Sequence, residues 1–196
     1  MGRGRIVALV GIDGSGKSTQ AARLAAALRA RGERARAFEN AGGRPVLDGL
    51  AHLLGREDGG ALVGARARAA SEVLVRSLAI TRSVGWARLT GGTAVMDRYA
   101  VCQLATMRAR GDRGTWLVAH LARLAPPPDL LVWCAVDPTV AQARVLARGR
   151  DEETIEWLAA FDAAYAALLP GSVVRLDVSD SADVVHARLV ALTVPR

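Results

Sequence analysis

The feature that most narrows what this chain can become is Gly11-Ile-Asp-Gly-Ser-Gly16-Lys17-Ser18, which fits G-x-x-x-x-G-K-[ST] at every fixed position. Its surroundings fit as well. Arg5-Ile-Val-Ala-Leu-Val10 is a short apolar run that reads as a buried strand. Ser18 to Ala30 has helical spacing, with Leu24 and Leu28 four apart and Gly32 as the stop. In such a turn the glycines let backbone N–H groups point inward and cradle phosphate oxygens. The helix start adds unpaired N–H groups and the positive end of a dipole. Lys17 is then placed to reach the β- and γ-phosphates of a nucleotide, and the Ser18 hydroxyl to ligate Mg²⁺.

The competing reading is a Gly-rich turn in a chain with 20 glycines. The basic residues decide against it. Of 26 Lys and Arg, 25 are arginine and Lys17 is the single lysine. A forked guanidinium is too bulky for a phosphate cradle, whereas an ammonium on a flexible stem fits. A compositional drift toward arginine that spared one position points to function at that position.

The rest of the chain supplies the fold class. At 196 residues it has the length of one domain, and 51% hydrophobic with 23% charged residues is globular composition. Short apolar runs alternate with helical stretches. Strands are predicted at Arg5–Val10, Arg34–Glu39, Thr93–Asp97, Leu130–Val136 and Ser172–Val178. Helices are predicted at Ser18–Ala30, over most of Val46–Leu89, and at Val101–Arg110, Thr115–Leu124, Thr139–Ala147, Asp151–Leu169 and Ser181–Leu192. Alternation of this kind implies a parallel sheet with helices on both faces, because parallel neighbours need crossover connections. Ligands in such folds bind at the carboxyl ends of the strands. The turns after Val10 and after Met96 both fall there.

Several function classes recede on composition. No apolar run is longer than Leu130 to Val136, far short of the ~18 residues a spanning helix needs. Cys102 and Cys134 have neither zinc-ligand spacing nor a disulfide framework, so the chain reads as cytoplasmic. The net charge of +7 is spread along the chain, and aromatics make up only 4%, which disfavours nucleic acid and favours a small anionic ligand. His52, His120 and His186 share no partner and read as structural. Trp86, Trp116, Trp133 and Trp157 read as core or interface.

Asp97-Arg98-Tyr99 follows the Thr93–Met96 strand on the same edge as the phosphate loop. An Asp there can hold Mg²⁺ or its waters, and an Arg can clamp a second phosphate. The alternative is a strand-end Asp capping the next helix, with Arg98 as a surface charge.

At these residues the chain resembles the thymidylate kinases among nucleoside monophosphate kinases. The resemblance rests on Gly11-Ile-Asp-Gly-Ser-Gly-Lys-Ser-Thr-Gln20, on Asp97-Arg98-Tyr99, and on Pro127-Pro128-Asp129-Leu130 through Asp137-Pro138. Ala143-Arg144 to Arg148-Gly149-Arg150, followed by Glu156 and Phe161…Tyr165, looks like the family's helix–lid–helix. It implies a single domain, residues 1–196, of the P-loop NTPase type: a three-layer α/β fold with a parallel five-stranded sheet flanked by helices, and a helical lid over about 144–156. It implies transfer of the ATP γ-phosphoryl to dTMP with Mg²⁺, and a homodimer as the common assembly.

Carried over by position, the ATP site comprises Gly11, Gly14, Ser15, Gly16, Lys17, Ser18, Thr19 and Arg144. Mg²⁺ falls to Ser18 and Asp97. The acceptor site comprises Asp13 near the sugar or the Mg²⁺ shell, Phe38, Arg44, Arg82 at the thymine edge, Asp97, Arg98 on the phosphate, Tyr99, and Gln103 near the base. Lys17, Arg98, Arg148 and Arg150 form the catalytic set. One branch of the family carries its catalytic arginine where this chain has Gly14, so here the lid would supply it.

Some positions depart from the pattern. Phe38-Glu39-Asn40-Ala41-Gly42-Gly43 lacks the phosphate-binding arginine of that loop unless Arg44 substitutes. Leu78 stands where the resemblance implies an aromatic ring stacked on thymine. Cys102 and Thr106 replace a serine and an aromatic. The kinase chemistry reads as intact and the thymine pocket as altered. Two alternatives therefore stay open: another or modified nucleoside monophosphate as acceptor, or a nucleotide-binding regulatory module with a decayed acceptor pocket.

Overall fold

The computed structural model describes residues 4–40, 59–112, 124–149 and 153–194, with the backbone alone for 59–70. Helices expected within 46–58 and 115–123 lie outside the described residues, as do Arg44, Arg150, His52, His120 and Trp116.

Five strands form one sheet: β1 (Arg5–Val10), β2 (Ala35–Glu39), β3 (Thr93–Asp97), β4 (Leu130–Ala135) and β5 (Val174–Asp177). Their order is β2-β3-β1-β4-β5 and every pairing is parallel. The helices are α1 (Lys17–Ala30), α2 (Gly59–Thr90), α3 (Ala100–Arg110), α4 (Pro138–Leu146), α5 (Ile155–Leu168) and α6 (Ala182–Thr193). All five predicted strands and the described helices are present, with ends shifted by up to four residues. The largest shift is at α5, which starts at Ile155 rather than Asp151 because the Thr154 hydroxyl accepts from the Trp157 N–H at 3.2 Å and caps the helix there.

The central strands are apolar throughout because both faces are covered. Val7, Ala8, Leu9 and Val10 of β1 are wholly buried, as are Ala94, Val95 and Met96 of β3. Helix α1 packs with α6, while α2, α3 and α5 pack in succession. Leu24, Leu28 and Leu189 fill the first layer, and Leu158, Phe161 and Tyr165 the second. Phe161 and Tyr165 stack at 5.0 Å, with Trp157 5.5 Å from Phe161.

The topology fixes the site. The connection leaving β1 runs past β3 to the edge strand β2, and the connection leaving β3 runs to β4 on the other side of β1. The crevice opens where those connections part, at the carboxyl ends of the strands. Register places Leu9 beside Asp97, and Asp97 beside Glu39. The loop after Val10, the side chains at 97–98 and residue 40 are therefore neighbours.

Candidate active site

The loop 11–16 is held between β4 and α4 by approaches that admit no side chain. Gly11 has φ +143°, and a Cβ there would stand 2.5 Å from the Cys134 carbonyl oxygen. Gly14 has φ +82°, and a Cβ would meet the Ala141 carbonyl at 2.2 Å. Only glycine fits both the dihedral and the space. An arginine at position 14 is thus excluded by the backbone of α4, which leaves any catalytic arginine to come from elsewhere.

Lys17 lies 4% exposed at the start of α1, its ammonium donating to the Ile12 carbonyl at 2.5 Å and to Ser15 Oγ at 3.0 Å. Burial, and next the charge of Arg98, lower its pKa; Asp13 and Asp97 oppose that. The ammonium sits folded into the cradle, with carbonyl and hydroxyl standing in for a harder anion. Ser18 Oγ donates to Asp97 Oδ2, while Asp97 Oδ1 is buried without a hydrogen-bond partner. A hydroxyl beside a carboxylate with an unspent buried oxygen suits a hard divalent cation, which takes oxygen ligands and completes its shell with phosphate and water.

Arg98 is the one non-glycine among the described residues with positive φ, at 74°. That conformation is disfavoured for a side chain with a Cβ and persists only where the surroundings enforce it. Here they do. The Arg98 N–H donates to the Leu9 carbonyl at 2.9 Å, and the Asn40 side chain donates to the Arg98 carbonyl at 3.0 Å. Asn40 is fixed in turn by its own N–H on the Asp97 carbonyl, 3.0 Å, and by Ser83 Oγ donating to its Oδ1, 3.2 Å. The guanidinium consequently points back over the cradle and pairs with Asp13. Burial works against both charges, yet the pairing prevails: the pKa of Asp13 is lowered, with Lys17 helping, and that of Arg98 is raised.

A cavity of about 200 Å³ opens between α2 and α3, lined by Val73, Arg76, Ser77, Ile80, Thr81, Ala100, Gln103 and Leu124–Pro126. Arg76 is 7% exposed, and among the described residues its Nε and Nη1 have no hydrogen-bond partner; Gln103 Oε1, also buried, has none among them either. Burial lowers the Arg76 pKa from its usual value. A second cavity of about 290 Å³ lies beside the loop, between Gly14–Gly16, Thr19, Arg144, Arg148 and residues 178–185. Arg144 is braced there by the Val178 carbonyl at 3.1 Å, and Arg148 is exposed at the end of α4.

The structure therefore gathers Gly11, Asp13, Gly14, Ser15, Gly16, Lys17, Ser18, Asp97 and Arg98 at one edge, with Thr19, Arg144 and Arg148 at the second cavity and Gln103 at the first. Three expected acceptor residues sit elsewhere. Arg82 is exposed, its guanidinium 5.8 Å from the Phe38 ring centre, and lines neither cavity. Phe38 is buried edge-on against Trp86 at 5.4 Å, as core. The Tyr99 hydroxyl donates to the Pro126 carbonyl, and burial pushes its pKa up to about 12. Leu78, expected over the base, is 61% exposed.

Sequence reasoning missed Arg76. Hydrophobic periodicity does not single it out, since the buried face carries Glu72, Val73, Arg76, Ile80, Ser83, Val84 and Ala87, whereas Leu74, Leu78 and Arg82 fall on the other face. Six residues at 100° each separate Arg76 from Arg82, which puts them about 240° apart around the helix.

Comparison with known proteins gives the family. The family model described as thymidylate kinase matches residues 9–189. The thymidylate kinase of Magnetococcus marinus is 32% identical over 161 residues, covering 79% of this chain and 74% of the relative. That of Jannaschia sp. is 35% identical over 158 residues, covering 76% and 73%. That of Akkermansia muciniphila is 29% identical over 194 residues, covering 95% and 90%.

The strain at Arg98 is measurable. Arg98→Ala and Arg98→Gly both remove the partner of Asp13, but only glycine is relaxed at positive φ. Arg98→Gly should unfold at higher denaturant concentration than Arg98→Ala, by about 1 kcal/mol in equilibrium melts.

Proposed function

The chain belongs to the thymidylate kinase family, and from that premise we propose that it transfers the γ-phosphoryl group of ATP to dTMP, giving dTDP. The observation that carries this reading is the pairing of two cation sites at one sheet edge. Lys17 sits in a backbone cradle, and Arg98 is held over it by enforced backbone geometry.

On this reading ATP lies in the donor cavity with its phosphates in the 11–16 loop, and Lys17 exchanges its Ile12 and Ser15 contacts for the β- and γ-oxygens. Ser18 and Asp97 would hold Mg²⁺, which when bound would neutralise charge on the triphosphate. Arg98 turns from Asp13 onto the acceptor phosphate, where a guanidinium bonds two oxygens at once. Asp13, released, faces the acceptor sugar. Arg148, in the turn after α4, brings positive charge to the migrating group, a role shared with Arg150. Phosphoryl transfer asks mainly for in-line positioning and electrostatic stabilisation, which these residues supply.

The base is read in the cavity between α2 and α3. Arg76 offers unused donors and Gln103 Oε1 an unused acceptor. A thymine edge presents a carbonyl and a ring N–H, the complementary pair. A cytosine edge presents the opposite polarity and would leave both groups unsatisfied.

The described helices include none long and apolar enough to cross a membrane, and the same reading places the protein in the cytoplasm. It also assigns the outer face of α2 to a second copy of the chain. Leu74, Leu78 and Leu89 recur along that face and are 60%, 61% and 78% exposed, an apolar stripe that a monomer would leave wet.

A coupled ADP-release assay over a panel of nucleoside monophosphates tests the activity. Turnover should be highest with dTMP and lost by about 10³-fold or more in Lys17→Ala, whose circular dichroism should match wild type. Turnover with another monophosphate alone, or with none, contradicts the reading. Sedimentation should give a dimer for wild type and a monomer for Leu78→Asp; a wild-type monomer contradicts the assembly.

A further inference from the structure

Glu72 is a carboxylate 5% exposed on α2, outside the phosphate chemistry and outside every motif of the sequence. Two side chains of α3 converge on the same oxygen of it. Gln103 Nε2 donates to Oε2 at 3.4 Å and Arg110 Nη1 at 3.3 Å. Gln103 and Arg110 are seven residues apart, two helical turns, and so share one face. Arg110 is also steadied by the Trp157 ring, 5.8 Å away.

The consequence concerns which way the Gln103 amide faces. An ionised carboxylate only accepts hydrogen bonds, so the amide must turn its nitrogen to Glu72. Its carbonyl oxygen is then left over, buried and without partner at the cavity, beside the unpartnered donors of Arg76. Reversing the amide would set two oxygens against each other and leave a buried NH₂ where the oxygen now stands. The polarity of the base-reading group is thus imposed from behind by a charge that touches no ligand.

We propose that Glu72, anchored by Arg110, is a positioning residue that locks Gln103 as an acceptor and thereby makes the enzyme select an acceptor base bearing a ring N–H over a 4-aminopyrimidine. The inference rests on the dTMP kinase reading and adds to it the source of base discrimination. Glu72→Gln keeps the shape but gives residue 72 both a donor and an acceptor, so Gln103 becomes free to turn.

The test measures kcat/KM for dTMP and for dCMP, with calorimetric Kd for both, in wild type, Glu72→Gln, Gln103→Leu and the double variant. The dTMP-to-dCMP ratio should fall about tenfold or more in Glu72→Gln, through the acceptor KM, with the KM for ATP unchanged. In the Gln103→Leu background the same substitution should change the ratio no further, because its effect passes through that amide. Arg110→Met, which releases Glu72 from its other side, should lower the ratio as well and serves if Glu72→Gln does not fold. A wild-type preference for dTMP that survives in these variants, or effects of residues 72 and 103 that simply add, overturns the inference alone. Wild type that handles dCMP as readily as dTMP, by turnover or by Kd, overturns it together with the substrate reading.

Discussion

Three cations withdrawn wholly or largely from water near one end of the sheet are the constraint around which this molecule is arranged. Removing a charge from water is costly unless partners replace the lost hydration. Lys17 and Arg76 are 4% and 7% exposed, and the Arg98 side chain 21%. Asp13 answers Arg98 directly, and the Ile12 carbonyl and Ser15 hydroxyl partly answer Lys17. Arg76 Nε and Nη1 have no partner. On the reading proposed above, the acceptors that these buried donors await are phosphate oxygens and a base carbonyl. The parallel sheet makes the arrangement possible, because it alone sets the ends of β1 and β3 side by side without a chain crossing the cleft.

Much of the fold was legible because its signals are local. The buried strands are uninterrupted apolar runs, and helix limits carry their own chemistry. Asp137 accepts from the Thr139 N–H at 2.8 Å with Pro138 at the first helical position, and Ser181 caps α6. The phosphate loop was legible for the same reason, since its geometry is written into consecutive residues. Arg98 was legible as a motif. Its positive φ was not, because that depends on Asn40 and Ser83, 58 and 15 residues away in sequence.

The acceptor pocket was the least legible part. A pocket wall is defined by which face of a long helix turns inward, and α2 is rich in alanine and arginine on all sides. Composition there does not separate Arg76 from Arg82; only the rotation of the helix against β3 and α3 does. The departures in the sequence take on physical meaning in this light. Leu78 is exposed and lies away from the cavity, so the ring it lacks is not missing from the cavity wall. The Thr106 hydroxyl donates to the Cys102 carbonyl one turn back, 2.9 Å, and so is spent within its own helix. Asn40 stands where the resemblance called for phosphate-binding chemistry, and it acts instead on the backbone that aims Arg98.

The central claim is that a triphosphate and a second phosphate are gripped at once, by Lys17 and Arg98, across a single gap. A bisubstrate analogue in which a polyphosphate joins adenosine to thymidine probes both grips together. Calorimetry should show it binding at least a hundredfold more tightly than ATP or dTMP separately, with most of that advantage lost in Arg98→Ala and in Lys17→Ala. An analogue that binds no better than ATP, and is indifferent to Arg98, would contradict the account.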